Sequence, residues 1–255
     1  MPKVSVNGIN IAYDEAGEGK SLILIHGLGW SRRQWALQIP VFSKHYRTIA
    51  IDYRGHGESD KPKEQHTLQD ISDDLHEFMR MKGLERAHVL GFSQGGMIAQ
   101  LFTLDHPKMV DGLILADAPV RSHPGFVERY VQLIETLGPD ALSAKLAQDN
   151  IEAKVPEGVR RIVEEDFKRN PKDTFVKNYR AELGFDVEAR LHEIKHPTLI
   201  IVGERDRLVG DAQLENRLIA GSKLVVIKGS GHSTCIEKAE DFNRAVLDFL
   251  KGIES

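Results

Sequence analysis

The chain has 255 residues, 41% hydrophobic and 28% charged, with a formal net charge of −4. That is enough chain to bury a sizeable core in one large α/β domain. The mixed, slightly acidic charge excludes a basic nucleic-acid surface or a polybasic membrane anchor. A single cysteine, Cys235, excludes an intrachain disulfide. No run approaches the ~18 apolar residues of a membrane span, and the opening MPKVSVNGIN lacks the apolar stretch of a signal peptide, so a cytoplasmic protein without membrane or nucleic-acid partners is expected.

VSVNGINIAY (4–13) alternates about Asn7-Gly8, a hairpin signal. SLILIHG (21–27) reads as a buried parallel strand ending in glycine. Ser31 is placed to cap a helix over 32–44, and YRTIAID (46–52) is a second apolar strand. TLQDISDDLHEFMRMKG (67–83) opens on a Thr-x-x-Asp box and closes on Gly83, which bounds a helix. Strand 87–92, helix 94–106 stopped by Pro107, and strand 112–117 follow. Farther on come strand 196–203, helix 211–221, strand 223–229 and a final amphipathic helix over 235–252. Strands this apolar, alternating with helices, predict an α/β fold: a mostly parallel sheet covered on both faces, with an antiparallel hairpin at the start.

The alternation breaks between 119 and 187. Phe126, Tyr130, Ile134 and Leu137 form one helical stripe; Leu142 and Leu146 a second; Val159, Ile162, Val163 and Phe167 a third; Phe175, Tyr179 and Leu183 a fourth. With no strand between them, these stripes predict a helical cap over 119–187, inserted in a core made of 1–118 and 188–255. Its apolar surface is expected to roof a mostly apolar pocket lined by Phe126 and Tyr130.

Gly91-Phe92-Ser93-Gln94-Gly95 stands at the joint of a strand and a helix. Glycines on both sides relieve the crowding of such a turn, leaving the Ser93 hydroxyl exposed at a helix N-terminus. A serine hydroxyl is a weak nucleophile; it needs a base, and the base needs an orienting acid. Asp206 and His232 each follow a predicted strand, so both leave the sheet at the edge that Ser93 leaves. Asp117, after strand 112–117, is the rival acid. His26-Gly27-Leu28-Gly29 follows strand 21–25, and the N–H groups of Leu28 and Gln94 are the expected oxyanion donors. Their side chains need take no part, and His26 is expected to bond within its own turn. Trp30 is expected to line the pocket or pack beneath the cap. Eleven scattered histidines form no metal-ligand pattern, so no metal or cofactor is expected.

Together with Asp52-Tyr53-Arg54-Gly55-His56-Gly57-Glu58-Ser59 and Gly231-His232, these motifs make nearly the whole chain resemble the α/β-hydrolase superfamily, and within it the small single-cap carboxylesterases and enol-lactone hydrolases. The resemblance implies that Ser93, His232 and Asp206 are nucleophile, base and acid in a carboxylic ester or lactone hydrolase. It also implies that Arg54 and Ser59 hold a structural corner. The sequence departs from close relatives at Phe92, and in lacking a proline after Asp206 and after His232. Serine at 93 disfavours the aspartate-nucleophile dehalogenases and epoxide hydrolases. A perhydrolase, a C–C bond hydrolase and a slow-turnover receptor remain alternatives, as does a homo-oligomer.

Overall fold

In the computed structural model the described residues are 2–151, 155 and 157–254; within the predicted insertion, 152–154 and 156 lie outside them. Eight strands form one sheet: β1 (Lys3–Val6), β2 (Ile9–Ala16), β3 (Ser21–Ile25), β4 (Arg47–Asp52), β5 (Ala87–Phe92), β6 (Val110–Ala116), β7 (Thr198–Gly203) and β8 (Lys223–Ile227). Their order is β1-β2-β4-β3-β5-β6-β7-β8, antiparallel at β1–β2 and β2–β4 and parallel elsewhere. Asn7 and Gly8 take φ of 45° and 80°, the left-handed pair that a two-residue hairpin requires.

The helices are α1 (Ile39–Phe42), α2 (Leu68–Met81), α3 (Gln94–Asp105), α4 (Pro124–Thr136), α5 (Pro139–Asn150), α6 (Glu157–Arg169), α7 (Lys172–Arg180), α8 (Val209–Leu218), α9 (Thr234–Glu237) and α10 (Ala239–Glu254). They cover both faces of the sheet. Along β3, Leu22 and Leu24 join one buried cluster while Ile23 and Ile25 join the other, as strand pleating dictates. α2 starts at a reciprocal Thr67–Asp70 capping box and buries Leu68, Ile71, Leu75, Phe78 and Met79. Each such side chain contributes roughly 1.5–3 kcal/mol of burial.

Two predicted helices prove to be broken. Residues 32–44 form a 3₁₀ turn, Arg32–Leu37, followed by short α1, because Pro40 is tolerated only in a helix's first turn. The last helix divides at Lys238 into α9 and α10. There Glu237 accepts hydrogen bonds from Ser230 Oγ at 3.0 Å and Gly231 N at 2.6 Å, folding the end of α9 back onto the turn before His232.

The four helices α4–α7 all fall between β6 and β7. Val127, Val131, Ile134, Leu146, Val163, Phe167 and Phe175 join the cluster that holds Leu90 and Phe92 of β5. Leu183 is the exception to its stripe: it lies beyond the end of α7 and is 49% exposed. Among the described residues, no helix is long and apolar enough to cross a membrane.

Candidate active site

β5 lies inside the sheet between β3 and β6, and Ser93 caps its junction with α3. A Cβ on Gly91 would come within 2.1 Å of the Gly95 carbonyl oxygen, and one on Gly95 within 2.2 Å of the Ile25 carbonyl oxygen. Only glycine therefore allows this approach of helix to strand. Ser93 itself sits at φ 53°, ψ −119°, a conformation that side chains rarely adopt.

The turns after β7 and β8 bring Asp206 and His232 to the same end of the sheet. Ser93 Oγ lies 3.0 Å from His232 Nε2, and His232 Nδ1 lies 2.9 Å from Asp206 Oδ2. Asp206 Oδ1 also accepts from the Leu208 N–H at 3.1 Å. Burial alone would raise the Asp206 pKa, but the charge and hydrogen bond of His232, the Leu208 N–H and Arg207 outweigh it and hold the carboxyl below its usual range. An anionic carboxylate on Nδ1–H leaves Nε2 free to accept the Ser93 proton, the arrangement that activates a serine for attack on a carbonyl.

Asp117 is near but points elsewhere. Oδ1 accepts from Gly203 N at 3.0 Å, and Oδ2 accepts from Thr234 N at 3.2 Å and Thr234 Oγ1 at 2.5 Å. It thus ties together the ends of β6 and β7 and the start of α9. Complete burial and the Asp206 charge push its pKa well up.

The turn after β3 stands opposite. Leu28, Gln94 and Ser93 line one cavity, and among the described residues neither the Leu28 N–H nor the Gln94 N–H has a hydrogen-bond partner. His56 Nε2 accepts from Gly29 N at 3.0 Å, bracing this turn from the Asp52–Ser59 loop. His26 bonds the Gly27 carbonyl at 2.7 Å and stacks on Tyr53, and burial lowers its pKa to about 4. In the loop, Arg54 pairs with Asp74 at 2.5 Å, and Ser59 Oγ accepts from Ala12 N at 2.8 Å while donating to the Asp52 carbonyl. Both side chains hold turns, as the resemblance implies.

The cavity is about 270 Å³, near the small end of ligand cavities, which start at roughly 300 Å³. Trp30, Phe126 and Tyr130 all line it. Trp30 also packs edge-on against Phe167 of α6 at 5.3 Å. The lining is less apolar than expected, however. Arg207, Glu182, Asp149 and Asp211 face the same space as the aromatic rings.

The side chain of Gln94 is also more engaged than its sequence position suggests. Its Oε1 accepts from Tyr53 OH at 2.8 Å, and its Nε2 donates to the Asn178 carbonyl at 3.0 Å and to Glu182 Oε1 at 2.9 Å. Glu182 is raised to about 7 by burial, with Gln94 and Arg207 acting against the rise. Arg207 could have been singled out as the neighbour of Asp206. Glu182 could not, since only folding brings it to Gln94. Among the described residues no cluster of three or more potential metal ligands occurs.

The model of the alpha/beta hydrolase fold family matches residues 20–239. The chain belongs to that family. Among alpha/beta hydrolases, the 2-hydroxy-6-oxononadienedioate/2-hydroxy-6-oxononatrienedioate hydrolase 2 of Pseudomonas putida is 32% identical, over 95% of this chain and 92% of that one. The 2-hydroxy-6-oxo-6-phenylhexa-2,4-dienoate hydrolase of Comamonas testosteroni is also 32% identical, over 94% and 91%. The crystal structure of the enol-lactonase from Burkholderia xenovorans LB400 superposes with a TM-score of 0.93 at 27% identity, covering 98% of this chain and all of that one.

Proposed function

We propose that this alpha/beta hydrolase is a serine hydrolase that cleaves carboxylic esters or lactones through an acyl-enzyme. The observation that carries the reading is the relay from Ser93 Oγ to His232 Nε2 at 3.0 Å and from His232 Nδ1 to Asp206 at 2.9 Å, opening on a cavity. His232 takes the Ser93 proton as Oγ attacks the substrate carbonyl. The oxyanion is received by the N–H groups of Leu28 and Gln94. His232 then protonates the leaving oxygen, water repeats the sequence on the acyl-enzyme, and Asp206 holds the histidine tautomer throughout. The helical segment 119–187 acts as the cap: α4, α5 and the turn after α7 supply Phe126, Tyr130, Asp149 and Glu182 to the cavity.

C–C bond hydrolysis is the second reading. It is favoured by the 32% identity to the two dienoate-type hydrolases. The two are separated by assaying p-nitrophenyl esters and lactones beside a 2-hydroxy-6-oxo-dienoate. Turnover near or above about 1 s⁻¹ on the esters or lactones, its loss in Ser93→Ala with the fold intact, and fluorophosphonate labelling confined to Ser93 are expected. Full activity in folded Ser93→Ala would remove Ser93 from the mechanism. Efficient turnover of the dienoate alone would move the assignment to C–C cleavage.

A further inference from the structure

The charges in the cavity do not balance by contact. Asp149 accepts from Tyr130 OH at 2.9 Å and pairs with Lys145. Asp211 accepts from Val120 N at 3.1 Å. Glu182 is held by Gln94, and Arg121 pairs with Glu188 at 2.5 Å. Arg207 differs: among the described residues no carboxylate lies within ion-pair distance of its guanidinium. The group instead lies over the Phe126 ring, 4.4 Å from its centroid. Cation–π contact holds the guanidinium against the aromatic wall, and among the described residues its N–H groups have no carboxylate partner.

This cation is also close to the chemistry. Arg207 follows Asp206 directly, and it lines the same cavity as Ser93 and His232. A planar guanidinium offers two parallel N–H donors that match the two oxygens of a carboxylate. We propose that Arg207 is a specificity-determining residue whose guanidinium binds a carboxylate on the substrate, so that the preferred substrate is an ester or lactone carrying one free acid group. The inference rests on the reading of Ser93 as nucleophile. A single carboxylate fits better than a more highly charged anion. Asp149, Asp211 and Glu182 face the same space and would repel additional negative charge. The small cavity limits the distance between that acid group and the scissile carbonyl to a few bonds. The aromatic wall of Phe126, Tyr130 and Tyr179, with ring centroids 4.5–6.4 Å apart, would hold the chain between them.

The test compares two esters of equal acyl length, mono-p-nitrophenyl adipate and p-nitrophenyl hexanoate, on the full-length protein, with spontaneous hydrolysis subtracted. The readout is the ratio of their kcat/KM values, so a general loss caused by disturbing Asp206 cancels. The wild-type protein should favour the adipate half-ester about tenfold, mainly through KM, as expected for one charge-assisted pair. Arg207→Gln should bring the ratio to one or below, and Arg207→Lys should keep part of it. The binding arm uses Ser93→Ala, in which monomethyl adipate should bind more tightly than methyl hexanoate. A wild-type ratio at or below one, or a ratio unchanged in Arg207→Gln, overturns the subsite while leaving ester hydrolysis standing. If neither these esters nor lactones turn over, the ester and lactone hydrolase reading fails. The binding arm then decides the subsite alone: tighter binding of the monomethyl ester that is lost on adding Arg207→Gln supports it, and equal binding overturns it.

Discussion

Gln94 and Glu182 are joined side chain to side chain at 2.9 Å, across 88 positions of sequence. The residue after Ser93, the proposed nucleophile, is thereby fastened to the turn that follows α7. Glu182→Ala would leave a buried amide short of an acceptor, a loss of about 1–3 kcal/mol. The variant should melt lower and show a reduced kcat, whereas Glu182→Gln, whose amide oxygen can still accept from Gln94 Nε2, should recover most of both. Equal defects in the two variants would show that the carboxyl charge matters and the hydrogen bond does not.

The same carboxyl predicts a pH effect on affinity. Glu182 is raised to about 7 by burial, and Gln94, Tyr53, Tyr179 and Arg207 surround it. Below pH 7 it is mainly neutral; above, it places a negative charge beside Arg207. KM for an acidic ester should therefore rise as pH passes 7, and a neutral ester should show a smaller rise. Glu182→Gln should flatten the difference, and an unchanged difference would exclude Glu182 as its source.

Asp206→Asn should lower kcat by roughly 10³–10⁴-fold, because an amide favours the wrong histidine tautomer. Asp117→Asn should act differently. Asp117 bonds Gly203 and Thr234 and not His232, so its loss should lower the melting temperature more than kcat. Steady-state kinetics and thermal melts on both variants decide the assignment, and the reverse pattern would exchange their roles.

Glu215 on α8 is fully buried, and neither carboxyl oxygen has a partner among the described residues. Burial, with Asp211 adding to it, raises its pKa well above the ordinary range. The unfolded chain releases this proton near pH ~4.3, while the folded chain keeps it. Over that interval the folded state binds more protons, so stability falls as pH rises. Glu215→Gln should therefore raise the melting temperature more at pH 8 than at pH 4. Thermal melts at the two pH values measure the difference, and an equal effect at both would remove Glu215 from the pH dependence.

Much of this architecture is legible in the residues because it depends on local rules. Asn7-Gly8, the Thr67–Asp70 box and the glycines about Ser93 each specify their own backbone. Repeated strand-end positions place Ser93, Asp206 and His232 at one edge. The polar half of the cavity is not legible in this way. Glu182 reaches Gln94 only after α7 has packed, and Arg207 reaches Phe126 only after α4 has. A periodic apolar stripe predicts that a helix is buried. It does not reveal which charged residues lie between its buried side and the cavity.

Ser93 stands where its own backbone would be more at ease as glycine. Its φ of 53° costs a residue with a Cβ about 1–3 kcal/mol. Alanine ordinarily outranks glycine by roughly 0.4–1 kcal/mol through the unfolded chain. At this position the order should invert, with Ser93→Gly melting above Ser93→Ala, although both lack the hydroxyl. On the proposed role of Ser93, the elbow is thus a place where durability and reactivity pull apart, and a variant selected for heat resistance alone would be expected to drift away from serine.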